Sequence, residues 1–238
     1  SWVGSGGQVG ISGQLLYWTK ESEYHLAAMM GHSALEWWRE RTTLARCGRL
    51  QMRVSIRLYA IIGGACHNLL PDNRCAIHDR RPHVCAAYPL EVNEPPSMQL
   101  VHPDSVACPS EAWNGASLTD RNGNAVDRAE GTGYRRYQNL WASEQEVLLH
   151  LRDVLRIRVG AAPTDCEAVL QLDKDQFVQA AAKARARVKA GMKPAGDPWQ
   201  MFAIDQDIAR TMKEAGAHLT GKAPSGYIFV AGMAHRAS

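Results

Sequence analysis

The chain has no apolar run near the roughly 20 residues that a membrane-spanning helix needs; the longest, Tyr59 to Cys66, falls far short. It shows no signal-peptide pattern at its front. A large excess of one charge is absent too: 27 Lys and Arg against 24 Asp and Glu leave a formal balance of +3 over 238 residues. Basic residues are spread out except for Lys183-Ala-Arg-Ala-Arg-Val-Lys189, and no aromatics interleave them for base stacking, so nucleic acid is not an expected partner. There is no G-x-S-x-G, H-E-x-x-H or phosphate-loop pattern, which leaves the familiar hydrolytic and nucleotide-dependent chemistries without their residues. No internal repeat is present. The six cysteines are too few for a disulfide scaffold in a chain of this length.

What the chain does have is a 45% hydrophobic composition, enough to bury a core as one large or two small domains. It also has clustered cysteines. Cys66, Cys75, Cys85 and Cys108 fall within 43 residues at spacings C-x8-C-x9-C-x22-C. Thiolates are among the best protein ligands for zinc and iron, so four in one short region point to a shared metal. The spacings lack C-x2-C knuckles and do not choose between zinc and an iron–sulfur cluster. Loops of 8 and 9 residues can equally be closed by disulfides in an oxidising compartment, and six cysteines allow 15 pairings. His67, His78, His83 and His102 lie close enough in sequence to replace one thiolate, and Cys47 is a further candidate. Cys166 follows Thr164-Asp165 near a candidate helix start, a position that can lower a thiol pKa.

Along the chain, Gly4, Gly6, Gly7, Gly10 and Gly13 read as a flexible lead-in. They miss a dinucleotide fingerprint because Val9 stands where the last glycine belongs. A helix is expected over 21–30. Ser33-Ala-Leu-Glu36 is a capping-box pattern that predicts a second helix to about Arg46, with Trp37 and Trp38 packed on the core. Met52, Val54, Ile56 and Leu58 alternate with polar residues and predict a half-buried strand leading to Gly63-Gly64 and Cys66. Pro71-Asp72-Asn73 predicts a turn, and Met98–His102 a short second strand. A long helix is expected from Tyr134 to Arg158, a capped one from Asp173 to Ala190, and a last one from Asp197-Pro198 to Gly216. Tyr227 to Val230 reads as a strand or extended arm. The expected fold is α+β, mainly helical, with a small sheet and a cysteine-rich, metal-stabilised loop region. Its expected divisions are an N-terminal helical segment (1–48), a cysteine-rich module (49–110) and a helical C-terminal region (111–238).

The run from Cys66 to Pro89 reads C-x2-LL-x3-RC-x-IH-x-RRP-x2-C-x2-YP. It resembles the signature of the cysteine-cluster family of zinc or iron chelators (YkgJ-like), with Arg81-Pro82-x-x-Cys85 and Tyr88-Pro89 at the family's offsets from Cys75. The likeness covers about a fifth of the chain, taking Cys108-Pro109 as the later cysteine. The chain departs from the family by lacking its front C-x-x-C-G-x-C-C cluster; Cys47-Gly48 is all that remains there. His78 replaces a tyrosine, and Ala86 an arginine. The resemblance implies a metal site on Cys66, Cys75, Cys85 and Cys108. Arg74, Arg80 and Arg81 lie beside these ligands and can offset the negative charge of the thiolate site. The resemblance also implies an accessory subunit of a larger assembly, of the mitochondrial respiratory kind; the missing front cluster and the absence of a catalytic pattern make a non-enzymatic metal-binding protein the leading expectation. The other reading is an iron or iron–sulfur redox or protein-modifying enzyme. Free thiols call for a reducing compartment. That compartment is mitochondrial if a targeting peptide preceded Ser1 and cytoplasmic otherwise. Other protein subunits are the expected partners, with the chain at most peripheral to a membrane.

Overall fold

The computed structural model describes residues 7–17, 19–20, 23–24, 27–28, 31–61, 65–88, 90, 126, 129–162, 165–222 and 224–231. They divide into two compact units. One unit, built from residues 2–20, 42–76 and 144–238, carries a seven-stranded mixed sheet; the other, from 21–41 and 77–143, is helical in its described parts.

The centre of the sheet is β1 (Gln8–Leu16), buried along nearly its whole length. It runs antiparallel to β3 (Leu50–Ile61) from the pair Gln8↔Ile61 to the pair Leu16↔Arg53. Its other edge is shared. Val9–Ser12 pair antiparallel with β5 (Cys166–Leu172), and Gln14 pairs parallel with Ala161 of β4 (Val159–Ala161). Outside these lie β2 (Thr43–Cys47) on β3, β6 (Gln200–Phe202) on β4 and β7 (Tyr227–Ala231) on β5. A parallel bridge between Cys47 and Trp199 brings the two ends of the path β2-β3-β1-β4-β6 together, so the sheet curls toward a barrel.

The expectation of a mainly helical chain with a small sheet is therefore corrected. The glycine-rich segment that reads as a flexible lead-in contains the central strand. Its glycines serve close packing: a side chain at Gly10 would collide with Val169, and one at Gly13 with the Trp199 ring. Residues 43–47, expected to end a helix, pair with β3 through a turn at Gly48 (φ 62°). Residues 200–202, expected to lie in the last helix, form β6, with Met201 fully buried.

Register fixes the character of each face. Val9, Ile11 and Leu15 of β1 share a face with Val54 and Ile56 of β3 and Leu172 of β5, all buried. In the same unit, α4 (Gln145–Val154) packs on α5 (Lys174–Lys189) and touches β3. The Asp173 capping box forms as expected: the carboxylate accepts the Gln176 amide at 2.8 Å and the Gln176 side chain accepts the Asp173 amide at 3.2 Å. Gly191 follows the helix at φ 64°. The irregular stretch after it is tied back by Asp153, which accepts the Ala195 amide at 2.6 Å and is paired with Arg152. The last helix, α6 (Gln206–Ala215), starts at the Asp205 cap rather than at Asp197 and stops at left-handed Gly216 as expected.

The helical unit holds α1 (His32–Glu40), the five-residue α2 (His83–Ala87) and α3 (Ala129–Ser143). The Ser33 capping box does not form; Gly31 occupies the cap position, and the helix ends at Glu40. The helix expected over 134–158 is two helices, interrupted at Glu144. Trp37 and Trp38 are buried as expected. The Trp37 ring meets Trp38 and Trp141 edge-on at 5.0 and 5.4 Å, and its Nε1 donates to Gln138 at 3.1 Å. No helix among the described residues is long and apolar enough to cross a membrane. The strand expected at Met98–His102 lies outside the described residues.

Candidate functional site

Beyond β3 the chain folds into a tight hairpin carrying two of the sequence-predicted ligands. The Leu69 amide donates to the Cys66 carbonyl at 2.8 Å, and Leu69 then bridges antiparallel to Cys75. The loop between them closes through Leu70 to Arg74 and Asn73 to Leu70, with Asn73 in the left-handed region at φ 64°. Asparagine tolerates that conformation and Pro71 presets the turn, so the predicted turn is present for the predicted reason. Cys66 and Cys75 are both half-buried. Arg74 is exposed and held by Asp72 at 2.6 Å; hydrogen bonding to Arg74 keeps the Asp72 carboxyl below its usual range. The Nε2 of His67 lies 2.9 Å from the amide nitrogen of Asn68. That nitrogen can only donate, so His67 Nε2 accepts and is not open to a metal in this conformation.

Cys85 belongs to the helical unit. Arg81 and Pro82 are extended and half-buried, and Pro82 precedes α2, which carries Cys85. This helix seats Ala87 against Tyr134, while Ala86 lies so close to Gly133 that a Cβ there would stand 2.7 Å from the Ala86 backbone. Cys85 is exposed. Cys108 lies outside the described residues. Among the described residues no three or more His, Cys, Asp or Glu side chains gather as a metal site. The donor chemistry suits zinc or iron at the hairpin, where two soft thiols are only half-buried.

Cys47 and Cys166 are different in kind. Both are fully buried. The Cys47 thiol faces the His218 carbonyl at 3.6 Å, and burial pushes its pKa up. β3 separates Cys47 from Cys66: twelve extended residues span roughly 36 Å, and the five residues beyond Ile61 reach back only about 18 Å. Cys166 lies 3.6 Å from the Asp165 carboxylate, and burial, with that negative neighbour, raises it to about 12. The lowered pKa that a helix start would give does not occur, because Cys166 begins a strand. Asp165 itself is fully buried and accepts the amides of Ile204 and Asp205 at 2.7 and 2.9 Å.

A second polar constellation, not anticipated from the sequence, lies on one face of β1, β3 and β5. The pairs Ser12↔Arg57, Gln14↔Ser55 and Ser12↔Val169 put Ser12, Gln14, Ser55, Arg57, Tyr59 and Glu167 on that face. Gln14 Nε2 donates to Glu167 at 2.6 Å, Arg57 stands 3.8 Å from the same oxygen, and the Ser12 and Tyr59 hydroxyls are 3.4 Å apart. Burial raises the Tyr59 pKa, and the Glu167 carboxylate it bonds to adds to the effect. The alternation in β3 showed polar residues on this face, but only the pairing with β1 shows that Ser12, Gln14 and Ser55 are buried.

No protein-family model, curated protein or solved structure matches this chain.

Proposed function

We propose that the chain is a non-enzymatic metal-binding protein, a divergent relative of the cysteine-cluster family, that serves as an accessory subunit of a larger assembly. Its metal is zinc or iron, the iron in a sulfide cluster or alone. Cys66 and Cys75 are the primary ligands, and Cys85 and Cys108 complete the set. The observation that supports this reading is the hairpin, which carries two accessible thiols at opposite ends of a well-formed turn, whereas Cys47 and Cys166 are buried with raised pKa values. Metal binding displaces thiol protons, so accessible thiols are the ones that can serve. A site closed by four cysteines leaves no open coordination position for a substrate, which favours a structural role over turnover.

The test is metal analysis with a visible spectrum on chain purified without oxygen and without added metal. About one zinc per chain and no colour is the result expected for a closed structural site. Iron with sulfide and a broad visible band keeps the metal and favours the redox or protein-modifying alternative. Absence of both metals overturns the proposal. For the accessory role, native purification recovers the chain with other subunits; recovery only as an isolated chain counts against it.

A further inference from the structure

Three strands form the outer limits of the sheet: β2, β6 and β7. A strand edge presents a row of backbone N–H and C=O groups that invite a partner. The chain itself supplies partners at two of the three. The Arg46 carbonyl of β2 accepts the Trp199 amide at 2.7 Å. Met201 of β6 donates to the His218 carbonyl at 2.8 Å and accepts the Thr220 amide at 2.9 Å. Among the described residues, β7 pairs with β5 alone. The direction of its outer groups follows from that pairing. The Gln171 amide donates to the Gly226 carbonyl at 3.1 Å, so Gly226 faces β5. Bonded and non-bonded pairs alternate along an antiparallel ladder. Ile228 and Val230 therefore also turn their backbone groups to β5, and Tyr227, Phe229 and Ala231 turn theirs outward. The Tyr227 amide bends back to the Pro224 carbonyl at 3.4 Å. The amides of Phe229 and Ala231 and the carbonyls of all three point to the open edge.

Edge strands are ordinarily guarded by a charge, a proline or a bulge. Tyr227–Ala231 reads YIFVA, with neither charge nor proline, and its one-to-one register with β5 contains no bulge. The strand is also anchored. Tyr227 and Phe229 pack on the cluster of Ala161, Cys166 and Ala168, and the Phe229 ring lies 4.1 Å from Phe202. We propose that β7 is a self-association edge, which adds β7 of a second copy of this chain antiparallel to itself about a twofold axis at Phe229. The symmetry of the outward positions selects this occupant. Positions 227 and 231 are equidistant from 229, so the strand is complementary to itself and the contact closes on two copies. Phe229 exchanges two bonds with Phe229 of the second copy, and each Ala231 amide donates to the other copy's Tyr227 carbonyl. A charged peptide finds no opposite charge on this strand, whereas a second copy brings the same neutral edge in matching register. Five residues a side are few beside the roughly 20–30 of a standard interface, so the dimer is weak and depends on concentration. The edge is independent of the cysteine hairpin.

The test is light scattering on the full chain from low to high micromolar concentration, with amide hydrogen exchange followed by NMR at both ends of the range. The mass is expected to rise from one copy to two. The Phe229 and Ala231 amides are expected to gain about tenfold protection or more in the dimer, while the Ile228 amide, bonded to β5, is protected throughout. Ile228→Lys supplies the guard that natural edges carry and is expected to keep the chain monomeric. Val178→Lys, on the exposed surface of α5, retains the dimer. If Ile228→Lys folds poorly, exchange in the natural chain still decides. A single copy at every concentration overturns the proposal. So does a dimer in which the Phe229 and Ala231 amides exchange as fast as in the monomer. Protection of both amides in the monomer also overturns it, because it assigns the edge to another part of the same chain.

Discussion

Cysteine reactivity in this chain is decided by burial. Cys47 and Cys166 are fully buried thiols held protonated, while Cys66 and Cys75 are half-buried on a hairpin. Thiol reagents are therefore expected to modify Cys66 and Cys75 in metal-free native protein and to reach Cys47 and Cys166 only after denaturation. Peptide mapping of the labelled chain checks this, and rapid native labelling of Cys166 contradicts it. The same burial has a pH consequence. Cys166 is raised to about 12 in the fold, whereas an unfolded cysteine titrates near about 8.5. The folded state holds the proton longer than the unfolded state. Its stabilisation is thus complete below about pH 8.5 and is lost progressively as pH rises toward about 12. Tyr227, raised to about 12 by burial, adds a loss beginning above about pH 10. Urea melts at about pH 8 and about pH 10 are expected to show a larger loss for the natural chain than for Cys166→Ala. Equal losses would contradict this account of the thiol.

Glycines in the strands and helices are where element-level expectation and structure part. Gly133 sits inside α3, where alanine would ordinarily stabilise by roughly 1 kcal/mol through helix propensity. Here a Cβ would press on the Ala86 backbone of α2 at 2.7 Å. Gly133→Ala is therefore expected to destabilise by about 1–3 kcal/mol in denaturant melts; stabilisation would show that α2 packs elsewhere. Gly13→Ala, against Trp199 within β1, should act in the same direction. These glycines also explain what the sequence concealed. Helices with explicit punctuation were legible: Asp173 with Gln176 marked the start of α5, and Gly216 the end of α6. The alternating β3 was legible as well. β1 was not, because a strand buried on both faces and thinned by Gly10 and Gly13 has neither alternation nor bulk. β4 and β6, at three residues each, are too short to show a period and exist through pairing with one another and with β1. Asp165 illustrates the same dependence on distant chain. Its carboxylate bonds two amides some forty residues away, so Asp165→Ala is expected to cost about 2–4 kcal/mol and to loosen the start of α6. Hydrogen exchange across 204–212 reports the loosening, and unchanged protection there would contradict it.

At the scale of the whole molecule, the cysteine signature does not coincide with one compact body. The division between the two units falls between Ala76 and Ile77, inside the run from Cys66 to Pro89. Spacing in the sequence marked the ligand candidates but could not show which share a hairpin; that depended on the Leu69–Cys75 pairing. Nor could it show that Cys47 is carried to the far end of β3. The central claim is that the hairpin thiols are what hold the metal. The most direct measurement is metal content of the natural chain beside Cys66→Ser, Cys75→Ser, Cys47→Ser and Cys166→Ser, all purified without oxygen. The account predicts that metal falls several-fold or vanishes in the first two variants and stays at the natural level in whichever of the last two fold. Full metal retention in both Cys66→Ser and Cys75→Ser would contradict it.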